Sequence, residues 1–272
     1  MKSIVFLDLD ETLWRNEIIP DSALKAIGQA VANGHLVFAN TGRSRDAAWR
    51  GLEGLPLSGA VYSAGSEIWK DGKRIYFEPL GAAKTHRLMD ALLPMDIGIS
   101  VEGSDSTHLN QKSRDDLFNM LPKHDKVSFR FDLLPDLDAM EEKDYADAMK
   151  LSLIGIEPGS IDDLLAQEDM VFTAFGIQDG KDKIDGEITQ KSMDKGTAFQ
   201  TIKDLLHQDF RTIAIGDSEN DLPMFETADL AVAMGNGVPR AKEAADYVTA
   251  PIDEDGVYKA FEYAGLLDPQ AE

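Results

Sequence analysis

The sequence predicts an α/β protein: a doubly wound parallel sheet with a smaller α+β module inserted between its two halves. Three observations carry that prediction. Short continuous apolar runs such as Ile4 to Leu7 read as strands buried on both faces, the mark of a parallel sheet. Helical segments alternate with these runs, as crossover connections require. Between about residues 81 and 184 the alternation gives way to a different pattern, and it returns afterwards.

The elements follow in order. Ile4 to Leu7 ends abruptly in Asp8-Leu9-Asp10-Glu11-Thr12. Pro20-Asp21-Ser22 is a helix start, Leu24, Ile27 and Val31 fall at helical spacing, and Asn33-Gly34 is a stop. Leu36 to Ala39 is a second strand, ending in Asn40-Thr41-Gly42-Arg43, and Ala60 to Tyr62 a third, ending in Ser63-Ala64-Gly65-Ser66. In the middle region, Ile97 to Val101, Val127 to Phe131, Leu151 to Ile156 and Val171 to Phe175 read as strands, and Asp162 to Gln167 as helical. Later, Phe199, Ile202, Leu205 and Leu206 mark a helix face. Thr212 to Ile215, Leu230 to Ala233 and Tyr247-Val248 return to strands. The expected organisation is a core of residues 1–80 and 185–272 around an inserted domain of residues 81–184. Polar or glycine-bearing segments follow the strands, where open α/β sheets bind ligands.

Composition narrows the function. The chain has 272 residues, and 27 Lys and Arg against 49 Asp and Glu give a formal net charge of −22. Such an excess argues against a nucleic-acid or anionic-membrane surface. Cysteine is absent, which excludes disulfides, thiolate zinc sites and a cysteine nucleophile. No apolar run approaches the ~20 residues of a membrane helix, and Asp8 interrupts the first apolar run too early for a signal peptide. A cytoplasmic protein is expected.

Two acidic motifs carry the chemistry. A carboxylate at the position of Asp8, directly after a buried strand, can attack phosphorus and form an aspartyl-phosphate. Asp10, two residues on, can protonate the leaving oxygen and then activate water. Gly216-Asp217-Ser218-Glu219-Asn220-Asp221 also follows a strand, and its two aspartates four apart suit a hard cation such as Mg²⁺. Each cluster alone also suits a turn or a helix cap; two of them in one parallel sheet can converge on a single cation. Thr41 adds a hydroxyl, Arg43 a guanidinium and Lys195, before Gly196, a further cation.

In this order, Asp8-Leu9-Asp10-Glu11-Thr12, Thr41-Gly42-Arg43, Lys195-Gly196 and Gly216 to Asp221 closely resemble the four motifs of the haloacid dehalogenase (HAD) superfamily of phosphohydrolases. The size of the insertion, Glu187-Ile188 ahead of Lys195 to Phe199, Met234-Gly235-Asn236-Gly237 and Asp255-Gly256-Val257 resemble its Cof-type branch. The resemblance implies a Rossmann-like core with an α+β cap, and Asp8 as nucleophile with Asp10 as general acid/base. It implies Mg²⁺ held by Asp8, the Asp10 carbonyl and Asp217, with Asp221 in or beside its shell. Thr41, Gly42, Arg43 and Lys195 would contact the phosphoryl group, and Asn220 the phosphate or Lys195. The substrate expected is a small phosphorylated metabolite, a sugar phosphate by preference, since a large cap excludes bulky molecules. A phosphomutase using the same aspartates, or a non-catalytic phosphometabolite-binding protein, are the alternatives. Oligomeric state is left open.

Two departures from the family pattern stand out. Glu11 replaces a usual glycine, so its side chain must turn away from the phosphate. Ala64-Gly65-Ser66 replaces Asn-Gly-Ala, leaving Ser63 or Ser66 to take over any contact of that asparagine. The five histidines (His35, His86, His108, His124, His207) have no paired metal-ligand spacing and read mostly as surface or boundary residues. Trp14 reads as packing or as a residue at the substrate entrance, Trp49 and Trp69 as core or hinge, and Gly235-Asn236-Gly237 as a turn.

Overall fold

A computed structural model describes residues 2–120, 133–177 and 182–268. In its first third the chain forms β1 (Ser3–Leu7), α1 (Asp21–Ala32), β2 (Leu36–Asn40), α2 (Arg45–Leu52), β3 (Gly59–Tyr62), β4 (Glu67–Lys70) and β5 (Lys73–Phe77). The middle holds α3 (Ala82–Leu92), β6 (Gly98–Gly103), β7 (Thr107–Leu109), α4 (Gln111–Met120), α5 (Glu142–Asp147), β8 (Ala148–Ile156), α6 (Asp162–Glu168), β9 (Met170–Ile177) and β10 (Ile184–Gln190). The remainder is α7 (Thr197–Leu206), β11 (Arg211–Gly216), α8 (Leu222–Thr227), β12 (Leu230–Ala233), α9 (Pro239–Ala244), β13 (Tyr247–Val248) and α10 (Gly256–Tyr263).

The chain divides into two compact units. The first comprises the residues up to Arg43, Trp49–Phe77 and everything from Met193 on. Its sheet has the order β13-β12-β11-β1-β2-β3-β4-β5. Strands β13 through β3 pair in parallel, and they are the six strands the apolar runs predict. β4 and β5 add an antiparallel hairpin that the sequence reading does not contain. Its turn is Asp71-Gly72, both at positive φ, the signature of a two-residue hairpin loop.

Ile4, Phe6, Phe38, Phe199, Ile202 and Ala214 share one core cluster, and Phe6 stacks on Phe199 at 3.8 Å between ring centres. Leu205, expected on the buried face of α7, is instead exposed, and Ala198 is buried with Phe199 and Ile202. In α1 the buried face is Ala23, Ala26, Ile27 and Ala30. Leu24 and Val31 are only half-buried, because small side chains let the helix lie close to its neighbours.

The second unit comprises Ser44–Ala48 and Glu78–Ser192. Its five-stranded sheet has the order β7-β6-β8-β10-β9, with every pairing antiparallel. The boundary expected at 184/185 falls at the head of β10, which pairs with β8 and β9 from Ile184 onward, so this unit runs on to Ser192. Ile99, Val101, Leu151, Leu153 and Ile188 pack on one side with Leu88 and Leu92 of α3. The expected strand over Val127 to Phe131 lies outside the described residues, as does His124.

Two of the histidines read as surface or boundary residues are buried. His35 accepts the Ser3 N–H through Nδ1 at 3.1 Å, and burial followed by the charges of the chain's amino terminus and Arg211 lowers its pKa. His108 is also buried. Among the described residues no helix is long and apolar enough to cross a membrane.

Candidate active site

Three parallel strands end side by side. Leu7 of β1 lies in register with Ile215 of β11 on one side and Ala39 of β2 on the other. The next residue of each strand therefore emerges at the same edge of the sheet: Asp8, Gly216 ahead of Asp217, and Asn40 ahead of Thr41. Asp8 stays in the ladder through its N–H to Ile215 O at 2.9 Å, which fixes where its side chain begins.

Lys195 is the hub of the cluster. It is 1% exposed, and its Nζ donates to Asp8 Oδ1 at 2.5 Å, Asp221 Oδ1 at 2.6 Å and Asn220 Oδ1 at 3.0 Å. Its carbonyl is held from behind by Asn40 Nδ2 at 2.8 Å. Asp194 caps the start of α7 by accepting the Gly196 and Thr197 N–H groups. Glycine is required at 196 because a Cβ there would lie 2.3 Å from Pro223 O. These contacts fix the lysine backbone, so that its long side chain has one place to reach.

Asp221 is fully buried and both its oxygens are occupied. Oδ1 accepts Lys195, while Oδ2 accepts the N–H groups of Asp217 at 2.8 Å and Ser218 at 2.9 Å. At Gly216 a Cβ would come within 2.4 Å of the Asp221 carboxyl, which explains the glycine in this motif. Asp217 Oδ1 accepts the Thr12 hydroxyl at 3.2 Å.

The electrostatics are strongly one-sided. Asp8, Asp217 and Asp221 are all buried, and each offers an oxygen within 4.8 Å of those of the other two. Burial, and then the charge of Asp221, push the Asp8 carboxyl well above the ordinary range. The same two causes push Asp217 up to about 6. Lys195 is shifted upward, because Asp221 and Asp8 outweigh its own burial. Three carboxylates against one ammonium leave surplus negative charge in a desolvated cluster of hard oxygen donors. Such a donor set fits a divalent cation such as Mg²⁺.

The remaining predicted residues sit on the same rim. Thr41 is buried, and its Oγ1 accepts the Arg43 N–H at 3.1 Å. Arg43 clasps Asp10 with Nε to Oδ2 at 2.9 Å and a terminal nitrogen to Oδ1 at 2.6 Å. Gly42, between them, is half-buried. Asn220 also accepts the Ser218 hydroxyl at 2.8 Å. Glu11 takes the left-handed φ of 61° that a glycine would adopt freely, and its carboxylate turns aside to Arg15 at 2.8 Å. Its N–H, however, donates to Trp14 O at 2.9 Å.

The loop after β3 is pinned to the Thr41 loop, with Ser63 N–H on Arg43 O and Ala64 N–H on Thr41 O. Ser63 and Ser66 are buried, and no described residue hydrogen-bonds to Ser63 Oγ. Three residues escaped the sequence reading as parts of the site. Asn40 carries the Lys195 backbone, Asp194 caps the segment, and Asn236 ties the turn after β12 to Glu11 O at 2.8 Å and to the Ile252 N–H at 2.8 Å. Each is an ordinary strand-end or turn residue in one dimension, so only the motif neighbouring it could have drawn attention to it.

Comparison with known proteins covers nearly the whole chain. The sequence profile of the haloacid dehalogenase-like hydrolases matches residues 5–261. The chain is 29% identical over 282 residues to YkrA of Bacillus subtilis (strain 168), covering 97% of this chain and 98% of that one. It is 29% identical over 264 residues to the 5-amino-6-(5-phospho-D-ribitylamino)uracil phosphatase YcsE of the same organism, covering 96% and 94%. Among solved structures, BT1666, a HAD phosphatase of Bacteroides thetaiotaomicron, superposes with a TM-score of 0.80 at 21% identity over 98% of this chain and 96% of that one. The HAD subclass IIB sugar phosphatase BT4131 does so with 0.73 at 22% identity over 98% and 100%.

Proposed function

This chain belongs to the haloacid dehalogenase-like hydrolase family and is one of its phosphate-monoester hydrolases; we propose that it uses Mg²⁺ and an aspartyl-phosphate intermediate to dephosphorylate a small cytoplasmic metabolite, a sugar phosphate by preference. The observation that carries this reading is the buried grip of Lys195 on Asp8 and Asp221 beside Asp217, at the ends of adjacent parallel strands.

Each residue then has a task. An Asp8 oxygen attacks phosphorus, and the P–O bond to the leaving group breaks with its electron pair on the departing oxygen. Asp10 supplies that oxygen's proton. Water next attacks the phosphorus, gives its proton to Asp10 and releases phosphate from Asp8. Lys195, Thr41, Gly42 and Arg43 bind the phosphoryl oxygens, and Asn220 keeps Lys195 aimed. Asp8, the Asp10 carbonyl and Asp217 would hold Mg²⁺ with Asp221 beside them, and the cation would neutralise charge on the phosphoryl oxygens. Catalysis of this kind is mostly positioning and charge neutralisation, which is what a fixed set of strand-end groups supplies.

The substrate class rests on two of these relatives, one named as the phosphatase of a phosphorylated ribityl compound and the other as a sugar phosphatase. A phosphate-release screen over phosphorylated sugars, nucleotides and vitamins tests the reading, with Mg²⁺ present and no bisphosphate activator. Release from at least one sugar phosphate, lost on chelation of the metal, is the expected result. Turnover that appears only with a bisphosphate activator would indicate a mutase instead.

A further inference from the structure

Trp14 is among the buried aromatics that the roles given above leave without a task. It is 1% exposed, yet its indole N–H points to the rim and donates to Asp10 Oδ1 at 3.0 Å. Asp10 is itself about half exposed, with a side-chain accessibility of 52%, and a free carboxylate there would sample several rotamers. Two partners hold it: Trp14 through Oδ1, and Arg43 through both oxygens.

The two partners differ in permanence. The Trp14 backbone is locked, with its carbonyl accepting the Glu11 N–H and its own N–H on Leu9 O. Its ring is pressed by Gly51, where a Cβ would lie 2.8 Å from the indole. Arg43 is a long side chain that, besides its two-point clasp on Asp10, faces two looser neighbours. Its guanidinium lies 5.5 Å from the Trp14 ring centre and 3.7 Å from Glu17, and it belongs to the segment assigned to phosphate binding. An arriving phosphoryl group competes with Asp10 for that guanidinium. Trp14 stays.

We propose that Trp14 is a positioning residue that holds Asp10 by Oδ1 and so leaves Oδ2 as the oxygen that gives and takes the proton. The inference rests on the reading of Asp10 as the general acid/base. When the ester P–O bond breaks onto the leaving oxygen, the Oδ2 proton moves to that oxygen and the alcohol departs. When water attacks the phosphorus, its proton returns to Oδ2, so the carboxyl ends as it began.

Trp14→Phe keeps a ring and removes the N–H donor. In Mg²⁺, kcat/KM is compared for two esters: an alkyl phosphate, whose leaving oxygen needs the proton, and dinitrophenyl phosphate, whose leaving group does not. This ratio stops at departure of the leaving group, so the later water step does not enter it. The expected loss is about 30-fold for the alkyl ester, a part of the roughly 10²–10⁴-fold that general acid catalysis contributes, and less than about threefold for the aryl ester. Gly51→Ala, which displaces the ring without touching Asp10, is expected to show the same selectivity at smaller amplitude and serves if Trp14→Phe folds poorly. Adding Trp14→Phe to Asp10→Asn is expected to cost nothing further on the alkyl ester. Equal losses on both esters, or a further loss in the double variant, overturn the inference. Failure of the unaltered enzyme on both esters would instead strike the functional reading beneath it.

Discussion

Two lysines are buried among the described residues, one in each unit, and each sits between two carboxylates. Lys150 of β8 lies directly opposite Glu102 of β6, and it pairs with Glu187 of β10 at 2.6 Å and with Glu102 at 3.6 Å. Its pKa is raised, as that of Lys195 is, because its neighbouring acids outweigh burial. By burial, pairing and titration the two are near twins.

They differ in what surrounds the pair. Lys150 sits within a strand, between acids that the two neighbouring strands deliver. Lys195 lies where three strands have ended, with a third carboxylate, Asp217, left over and pushed up to about 6. A buried ion pair is thus weak evidence of function. Surplus charge of one sign, built at the carboxyl edge of a parallel sheet, is much stronger evidence.

The sharpest break between the two clusters is chemical. Asp8→Asn is expected to lower phosphate release by at least about a thousandfold, the scale on which removal of a nucleophile acts. Its melting temperature without divalent cations should not fall below that of the unaltered protein, because an amide there relieves the cost of burying a charge and the repulsion from Asp221 that together raise the Asp8 pKa. Lys195→Met should cost about 10²–10³ in kcat/KM for an aryl phosphate, typical of removing one preorganised charge contact.

Stability separates the lysines next. Lys150→Met strands Glu102 and Glu187 and should cost about 3–5 kcal/mol, the penalty for breaking a buried pair. Urea unfolding measures it, and millimolar Mg²⁺ should leave the deficit relative to the unaltered protein unchanged. The deficit of Lys195→Met should shrink in Mg²⁺. Equal rescue of both variants would erase the distinction drawn here.

A smaller effect lies in the pH dependence. Asp8 and Asp217 bind protons more tightly folded than unfolded when no cation is present. Their contribution to stability therefore falls as pH rises from the unfolded carboxylate range near 4 through the folded value, about 6 for Asp217. The stability gap between Mg²⁺-loaded and metal-free protein should widen over that window, an upward shift of Tm that calorimetry can follow. The smallest effect concerns His35, whose lowered pKa means that stability is present above about 6.5 and is lost as pH falls below it. His35→Gln should flatten that acid-side loss by about 1 kcal/mol or less, the scale of one hydrogen bond.

Much of this was readable in one dimension. Strands buried on both faces announce themselves as apolar runs, and the acids that terminate them stand out because two such clusters end strands of one sheet, where either alone would also suit a turn or a helix cap. The β4–β5 hairpin was harder, since its half-exposed residues lack a clean apolar run, and Asp71-Gly72 was its one sharp signal. The last strand of the second unit was lost at 184 because it is polar and half-buried, and it is held by pairing partners far off in sequence. Asn40 was invisible as part of the site, and Trp14 was legible only as packing or as a residue at the substrate entrance, for a common reason. Each acts through another residue's position, and nothing about an asparagine at a strand end or a buried indole says which group it will hold.

The central claim is that Asp8 carries the phosphoryl group. Quenching the enzyme during turnover of a ³²P-labelled substrate, reducing with borohydride and mapping the peptides tests it most directly. The account predicts label on the peptide containing residue 8 before reduction, and homoserine at position 8 after it. Label on another residue, or full turnover with no phosphoenzyme in the unaltered protein and undiminished release in Asp8→Asn, would contradict it.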